Sequence, residues 1–183
     1  MNKASNSLLK IVIVHGDLIT GIQATAVLRR LAAGLDAEFE IKCDDWQIDS
    51  GVWKFEMLHD PELWEQAASE AVEADMIIIS VGSEELPVCM ERWIESVLST
   101  KAGAPAALVA LLDRSNEAFG DPLRSEVYLR RLAEQFGLDF FCNTDDQTPH
   151  IKSAIESIVT RSRDNSAIWR DLSPELCPRG VGV

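Results

Sequence analysis

Residues 76–81 read Met-Ile-Ile-Ile-Ser-Val, and the fold turns on them. A strand with one wet face alternates apolar and polar residues, and this run does not alternate. It predicts a strand covered on both faces, the condition of a central strand in a parallel sheet. Ala106–Leu112 (Ala-Ala-Leu-Val-Ala-Leu-Leu) has the same character, so the sheet has more than one such member. Lys10–His15 (Lys-Ile-Val-Ile-Val-His) and Leu138–Cys142 (Leu-Asp-Phe-Phe-Cys) extend it on either side.

Segments of helical period lie between these runs. Ala24, Val27, Leu28, Leu31 and Leu35 form one stripe after the first strand and predict a helix stopping near Gly34. Phe39–Cys43 alternates and reads as the second strand, with one covered face and an edge position. Asp60-Pro61 opens a helix with Leu63, Ala67, Ala71 and Ala74 inward: the aspartate caps, and proline at the first helical position needs no amide partner. Pro87–Leu98 and Leu123–Phe136, the latter closed by Gly137, read as the third and fourth helices, and Ile151, Ile155, Ile158 and Val159 mark a fifth. Strict strand–helix alternation implies right-handed crossovers. The expected fold is a three-layer α/β/α sandwich on a five-stranded parallel sheet in the order 2-1-3-4-5. Residues 1–162 form one domain in this reading, and 163–183 form a surface-packed or flexible tail.

Between the second strand and second helix of this reading lies Asp44–Asp60, about twice an ordinary connection. Trp53, Phe55 and Met57 alternate with Val52, Lys54 and Glu56. Either the segment is an extended piece burying those three side chains, or Trp46, Trp53 and Phe55 build a ligand or partner surface.

Of the 183 residues, 46% are hydrophobic and 26% charged, an ordinary balance for a globular chain. Lys plus Arg number 17 against 30 acids, a formal charge of -13, which repels nucleic acid and anionic lipid. No apolar stretch approaches the roughly 20 residues that span a bilayer, so no membrane association is expected. Cys43, Cys89, Cys142 and Cys177 form no C-x-x-C pair, which suits free thiols and a cytoplasmic location. Cys89 and Cys142 read as small core residues.

In an open parallel sheet, ligands bind beyond the strand carboxyl ends where the strand order reverses. Here that crevice lies between the loops after the first and third strands. His15, Gly16, Asp17, Ile19, Thr20, Gly82, Ser83 and Glu84 are its candidate residues, chosen by topology alone. His15 is either hydrogen-bonded to a neighbouring loop or a general acid–base. The acids Asp17, Glu84, Glu85, Asp113, Asp145 and Asp146 follow strand ends, as a solvated rim or around a divalent cation.

The alternation, the Thr20-Gly21 pair before a helix, and Ile79–Val97 (Ile-Ser-Val-Gly-Ser-Glu-Glu-Leu-Pro-Val-Cys-Met-Glu-Arg-Trp-Ile-Glu-Ser-Val) carry a resemblance. The chain resembles flavodoxin-like proteins, including the nicotinamide-dependent FMN reductases. In those reductases the third strand enters a Pro-x-Tyr-Asn-x-Ser-x-Pro loop and then a helix; Ser83 or its neighbour, Pro87 and an apolar helix with Trp93 keep that register. The resemblance implies an FMN site and an oxidoreductase. The flavodoxin phosphate loop is roughly Thr-x-Thr-Gly-x-Thr, whereas this chain offers Asp17-Leu18-Ile19-Thr20-Gly21-Ile22. An acid stands where a phosphate would settle, and apolar side chains replace hydroxyls. Receiver-domain phosphorylation fails too, because Asp17 is a single acid, the third strand ends in Ser80-Val81, and Phe141-Cys142-Asn143 contains no Lys. Dinucleotide, P-loop and nucleophile-elbow motifs are absent, and no two of His15, His59 and His150 share a metal-ligand spacing.

Two readings follow. One is a non-catalytic interaction or ligand-sensing module with no cofactor expected; the alternative is an FMN-binding oxidoreductase with an atypical loop. Either admits a protein partner or a homodimer, with Trp64 and Trp93 read equally as anchors or as buried residues.

Overall fold

A computed structural model describes residues 7–38, 46–82, 85–112 and 123–143. Five parallel strands, β1 (Ser7–His15), β2 (Trp46–Lys54), β3 (Met76–Val81), β4 (Ala107–Leu112) and β5 (Asp139–Cys142), form one sheet in the order β2-β1-β3-β4-β5. Four α-helices are described: α1 (Leu18–Glu38), α2 (Pro61–Glu73), α3 (Val88–Lys101) and α4 (Arg124–Phe136). A 3₁₀ helix, Phe55–His59, joins β2 to α2. The sheet order and direction are those that strand–helix alternation demanded.

The sheet is buried on both faces, as the unbroken apolar runs require. Leu9, Ile11, Ile13, Met76, Ile78, Ala107, Val109 and Leu111 point to the side where Ala24 and Leu28 of α1 pack. On the opposite side Val12, Val14, Ile77, Ile79, Leu108 and Ala110 meet Ala67 and Ala71 of α2, Trp93 and Val97 of α3, and Leu129 and Ala133 of α4. Ile77, Ile78 and Ile79 are at most 1% exposed, so each contributes about 2 kcal/mol of burial. Trp93 is fully buried, which makes it a core residue and removes it as an interface anchor.

Local signals place several helix ends. The Asp60 carboxylate accepts from the amides of Glu62 (2.9 Å) and Leu63 (3.3 Å), with Pro61 at the first helical position. Gly137 takes the left-handed conformation (φ 75°) that ends α4, and the Leu138 amide returns to the Ala133 carbonyl at 2.9 Å. The Lys101 ammonium is buried and donates to the Val72 carbonyl in the last turn of α2 at 2.8 Å.

The second strand is corrected. It is Trp46–Lys54, inside the segment read as an overlong connection, and it pairs with β1 from Ser7↔Trp46 to His15↔Lys54. The expected strand at residues 39–43 lies outside the described residues. Helix α1 continues through Gly34 to Glu38. One interior glycine costs about 1 kcal/mol against alanine, which does not break a helix that contains no proline. Trp53 and Phe55 are buried, and the Trp53 indole donates to Glu70 at 2.9 Å. They belong to the core, not to an exposed aromatic surface. Met57 is 40% exposed because the chain leaves the extended conformation at Phe55 and the alternation ends there. The expected fifth helix and the tail from residue 163 also lie outside the described residues.

Candidate functional site

The topological crevice opens where β1 passes into α1. Only Gly16 and Asp17 separate the last strand residue, His15, from the first helical one, Leu18. Thr20-Gly21 therefore lies inside the helix rather than in a loop before it. The Gly21 amide is already spent on the Asp17 carbonyl at 3.0 Å, as the helical ladder requires.

Asp17 and Thr20 close the amino end of α1 on each other. The Asp17 carboxylate accepts from the Thr20 amide at 2.8 Å, and the Thr20 hydroxyl accepts from the Asp17 amide at 3.0 Å. The hydroxyl proton faces the Asp17 carbonyl (3.0 Å) and carboxylate (3.1 Å). This is a capping box with threonine in the place usually held by glutamate. The Thr20 amide bond, above other causes, holds the Asp17 carboxyl below the usual carboxylate range, so it is charged at neutral pH. A carboxylate at a helix amino end also meets the positive end of the helix dipole.

His15 belongs to the same junction. Its Nδ1–H donates to the Asp17 carbonyl at 2.7 Å, and its ring lies against Gly21, where a Cβ would come within 2.9 Å of Cε1 and Nδ1. The histidine is hydrogen-bonded to the neighbouring turn, the first of the two roles its position suggested. The end of β3 is joined in: the Ser80 carbonyl accepts from the Gly16 amide at 3.0 Å, and the buried Ser80 hydroxyl donates to the Thr20 carbonyl at 2.9 Å. A Cβ on Gly82 would meet Thr20 Cγ2 at 3.5 Å and Asp17 Oδ2 at 3.6 Å. The fold thus gathers His15, Gly16, Asp17, Thr20 and Gly82 at one point; Ser83 and Glu84 lie outside the described residues.

The Thr20 amide at the amino end of α1 holds a carboxylate of its own chain, and an anion placed there would sit against that fixed charge. Around it stand large apolar side chains in water: Leu18 is 72% exposed, Ile19 68% and Ile22 61%. Leu18 and Ile22 share a helix face, four residues apart, and Ile19 borders it. Glu85, one of the expected rim acids, is paired with Arg124 at 2.5 Å. No group of three or more His, Cys, Asp or Glu side chains among the described residues is arranged to hold a metal.

A second cluster was not visible in the sequence, because its members are thirty residues apart. His59 ends the 3₁₀ helix, and Cys89 lies in the first turn of α3. His59 Nε2 is 3.6 Å from Cys89 Sγ, while Nδ1 lies 3.1 Å from the Glu56 carbonyl. Cys142 is buried as expected, whereas Cys89 is only half-buried and reaches this histidine. Elsewhere, a groove of about 450 Å³ runs between α3 and α4, lined by Arg92, Glu95, Ser99, Gln135 and Phe136, well apart from the β1–α1 junction in the chain. None of the described helices is long and apolar enough to cross a membrane.

No family model matches the chain, and no curated protein matches it. Solved structures do. A short-chain flavodoxin associated with a non-canonical PDU bacterial microcompartment aligns over 85% of this chain and 99% of its own, with a TM-score of 0.50 at 8% identity. The flavodoxin-like domain of a Synechococcus sp. protein aligns over 86% of this chain and 99% of its own, with a TM-score of 0.47 at 10% identity. At such identity the likeness concerns the fold. The chain has a flavodoxin-like α/β sandwich fold.

Proposed function

We propose that the chain is a non-catalytic interaction module on a flavodoxin-like scaffold. In this reading the first turn of α1 receives an apolar segment of a basic protein and does not hold a flavin phosphate. One observation carries it: Asp17 and Thr20 satisfy each other at the amino end of α1, and Leu18, Ile19 and Ile22 stand exposed around them. Exposed apolar clusters rimmed by polar residues mark interaction sites. The formal charge of -13 favours a partner carrying Lys or Arg beside its apolar residues and opposes a second copy of the chain on the same surface.

Three measurements test this reading. Titration of the protein into FMN, followed by flavin fluorescence and by thermal melting, should show neither quenching nor stabilisation. Saturable quenching would establish the oxidoreductase alternative. The second uses a labelled amphipathic Leu/Lys peptide and fluorescence anisotropy. The Ile19→Asp/Ile22→Asp double variant should bind it more weakly, although the substitutions add negative charge. Unchanged or tighter binding would show bare charge attraction and refute the apolar surface. Sedimentation of the protein alone should give a monomer at the α1 surface, with no change in the double variant.

A further inference from the structure

We propose that Cys89 and His59 form a thiol–imidazole pair that makes Cys89 a site of reversible mixed-disulfide formation with low-molecular-weight disulfides. The geometry of the histidine supplies the first reason. A backbone carbonyl can only accept, so the Glu56 carbonyl 3.1 Å from Nδ1 takes the ring proton there. Nε2 of the neutral ring is then an acceptor, and it faces the thiol at 3.6 Å. The imidazole is held in the tautomer that receives the thiol proton.

The position of the cysteine supplies the second. Cys89 is in the first turn of α3, a 14-residue helix whose Met90 and Glu91 amides bond to the Pro87 carbonyl. That end of a helix carries the positive pole of its dipole. The nearest carboxylate on the histidine's own element, Glu56, is paired with Lys54 at 2.6 Å. Access distinguishes the two described cysteines: Cys89 is half-buried, whereas Cys142 is buried with a relative exposure of 5%.

The reaction balances without a further oxidant. His59 Nε2 takes the thiol proton as Cys89 sulfur attacks one sulfur of R–S–S–R. The new Cys89–S–S–R bond forms while the old S–S bond breaks, and the electron pair leaves on the second sulfur. The imidazolium returns its proton to that thiolate, which departs as R–SH. The protein thiol is oxidised and half of the small disulfide is reduced.

The test uses the full chain at neutral pH with uncharged bis(2-hydroxyethyl) disulfide, because an anionic reagent would be repelled by this acidic protein. Tryptic fragment 55–92 contains Cys89 and none of the other cysteines, so its mass reports the site. The expected result is modification of Cys89 at least about tenfold faster in the wild type than in His59→Gln, the contribution of a positioned base. Imidazole added to His59→Ala should restore much of the rate. Equal rates in wild type and His59→Gln would overturn the proposal. So would a slowed His59→Ala variant of native circular dichroism that imidazole does not rescue, because the histidine would then be only a structural support.

Discussion

Replacement of Gly21 by alanine probes how the start of α1 is built. Gly21 is helical, so backbone propensity alone predicts a gain of about 1 kcal/mol. The new Cβ, however, would lie 2.9 Å from Cε1 and Nδ1 of His15 and 3.0 Å from its Cγ. The ring cannot swing away without losing its 2.7 Å bond to the Asp17 carbonyl. Overpacking together with the lost bond costs roughly 2–3 kcal/mol, so Gly21→Ala should destabilise the wild type by about 1–2 kcal/mol. In a His15→Ala background the obstacle is gone, and the same change should stabilise by about 1 kcal/mol. The double-mutant cycle therefore carries a coupling of roughly 2–3 kcal/mol, measurable by urea unfolding with unchanged slope. Alanine stabilising both backgrounds equally, within about 0.5 kcal/mol, would refute the seating of His15 on Gly21.

Other perturbations read neighbouring parts of the structure. Asp17→Asn keeps the shape of the cap and removes its charge. Because the folded Asp17 carboxyl is held below its ordinary value, its contribution is complete above the unfolded value and fades as pH falls through the folded one. The wild type should melt higher than the variant at neutral pH, and the gap should close below about pH 4; a gap that persists in acid contradicts the assignment. Burial, the leading cause, lowers the Lys101 ammonium, so the unfolded chain binds more protons in alkali and folding strengthens as pH rises. Wild type should accordingly gain stability over Lys101→Met between neutral pH and about pH 10, and a constant difference would count against a buried ammonium. Tyr128 is the only tyrosine of the chain, which makes ultraviolet titration a single-residue measurement. Burial first, then Glu95 at 3.1 Å, holds its phenol above the ordinary value. Tyrosinate should emerge only as the protein unfolds in alkali, and earlier in Glu95→Gln; ionisation near pH 10 in the native state would show an open hydroxyl.

Legibility in the sequence followed the physics of burial. Met76–Val81 and Ala107–Leu112 were readable because strands covered on both faces must be apolar at every position. Strand β2 escaped because it is the edge strand of the described sheet, paired among the described residues with β1 alone, and Asp49, Ser50 and Val52 face water. A strand of that kind needs no continuous apolar pattern, so Gln47–Gly51 resembles a loop. The alternation at Trp53 and Phe55 marked its inward side correctly, while Met57 followed the same spacing after the strand had ended.

The candidate site divides along the same line. The one-dimensional pattern was sufficient for the sheet order, the helix caps at Asp60 and Gly137, and the placing of His15, Asp17 and Thr20 beside Gly82, because those depend on chain-local periodicity and on the handedness of crossovers. Only the tertiary structure decided that Asp17 spends its carboxylate on Thr20, that Leu18, Ile19 and Ile22 are left in water, and that Cys89 meets His59. Those outcomes depend on which groups stand within hydrogen-bonding distance after the elements pack, and sequence separation carries no record of that distance.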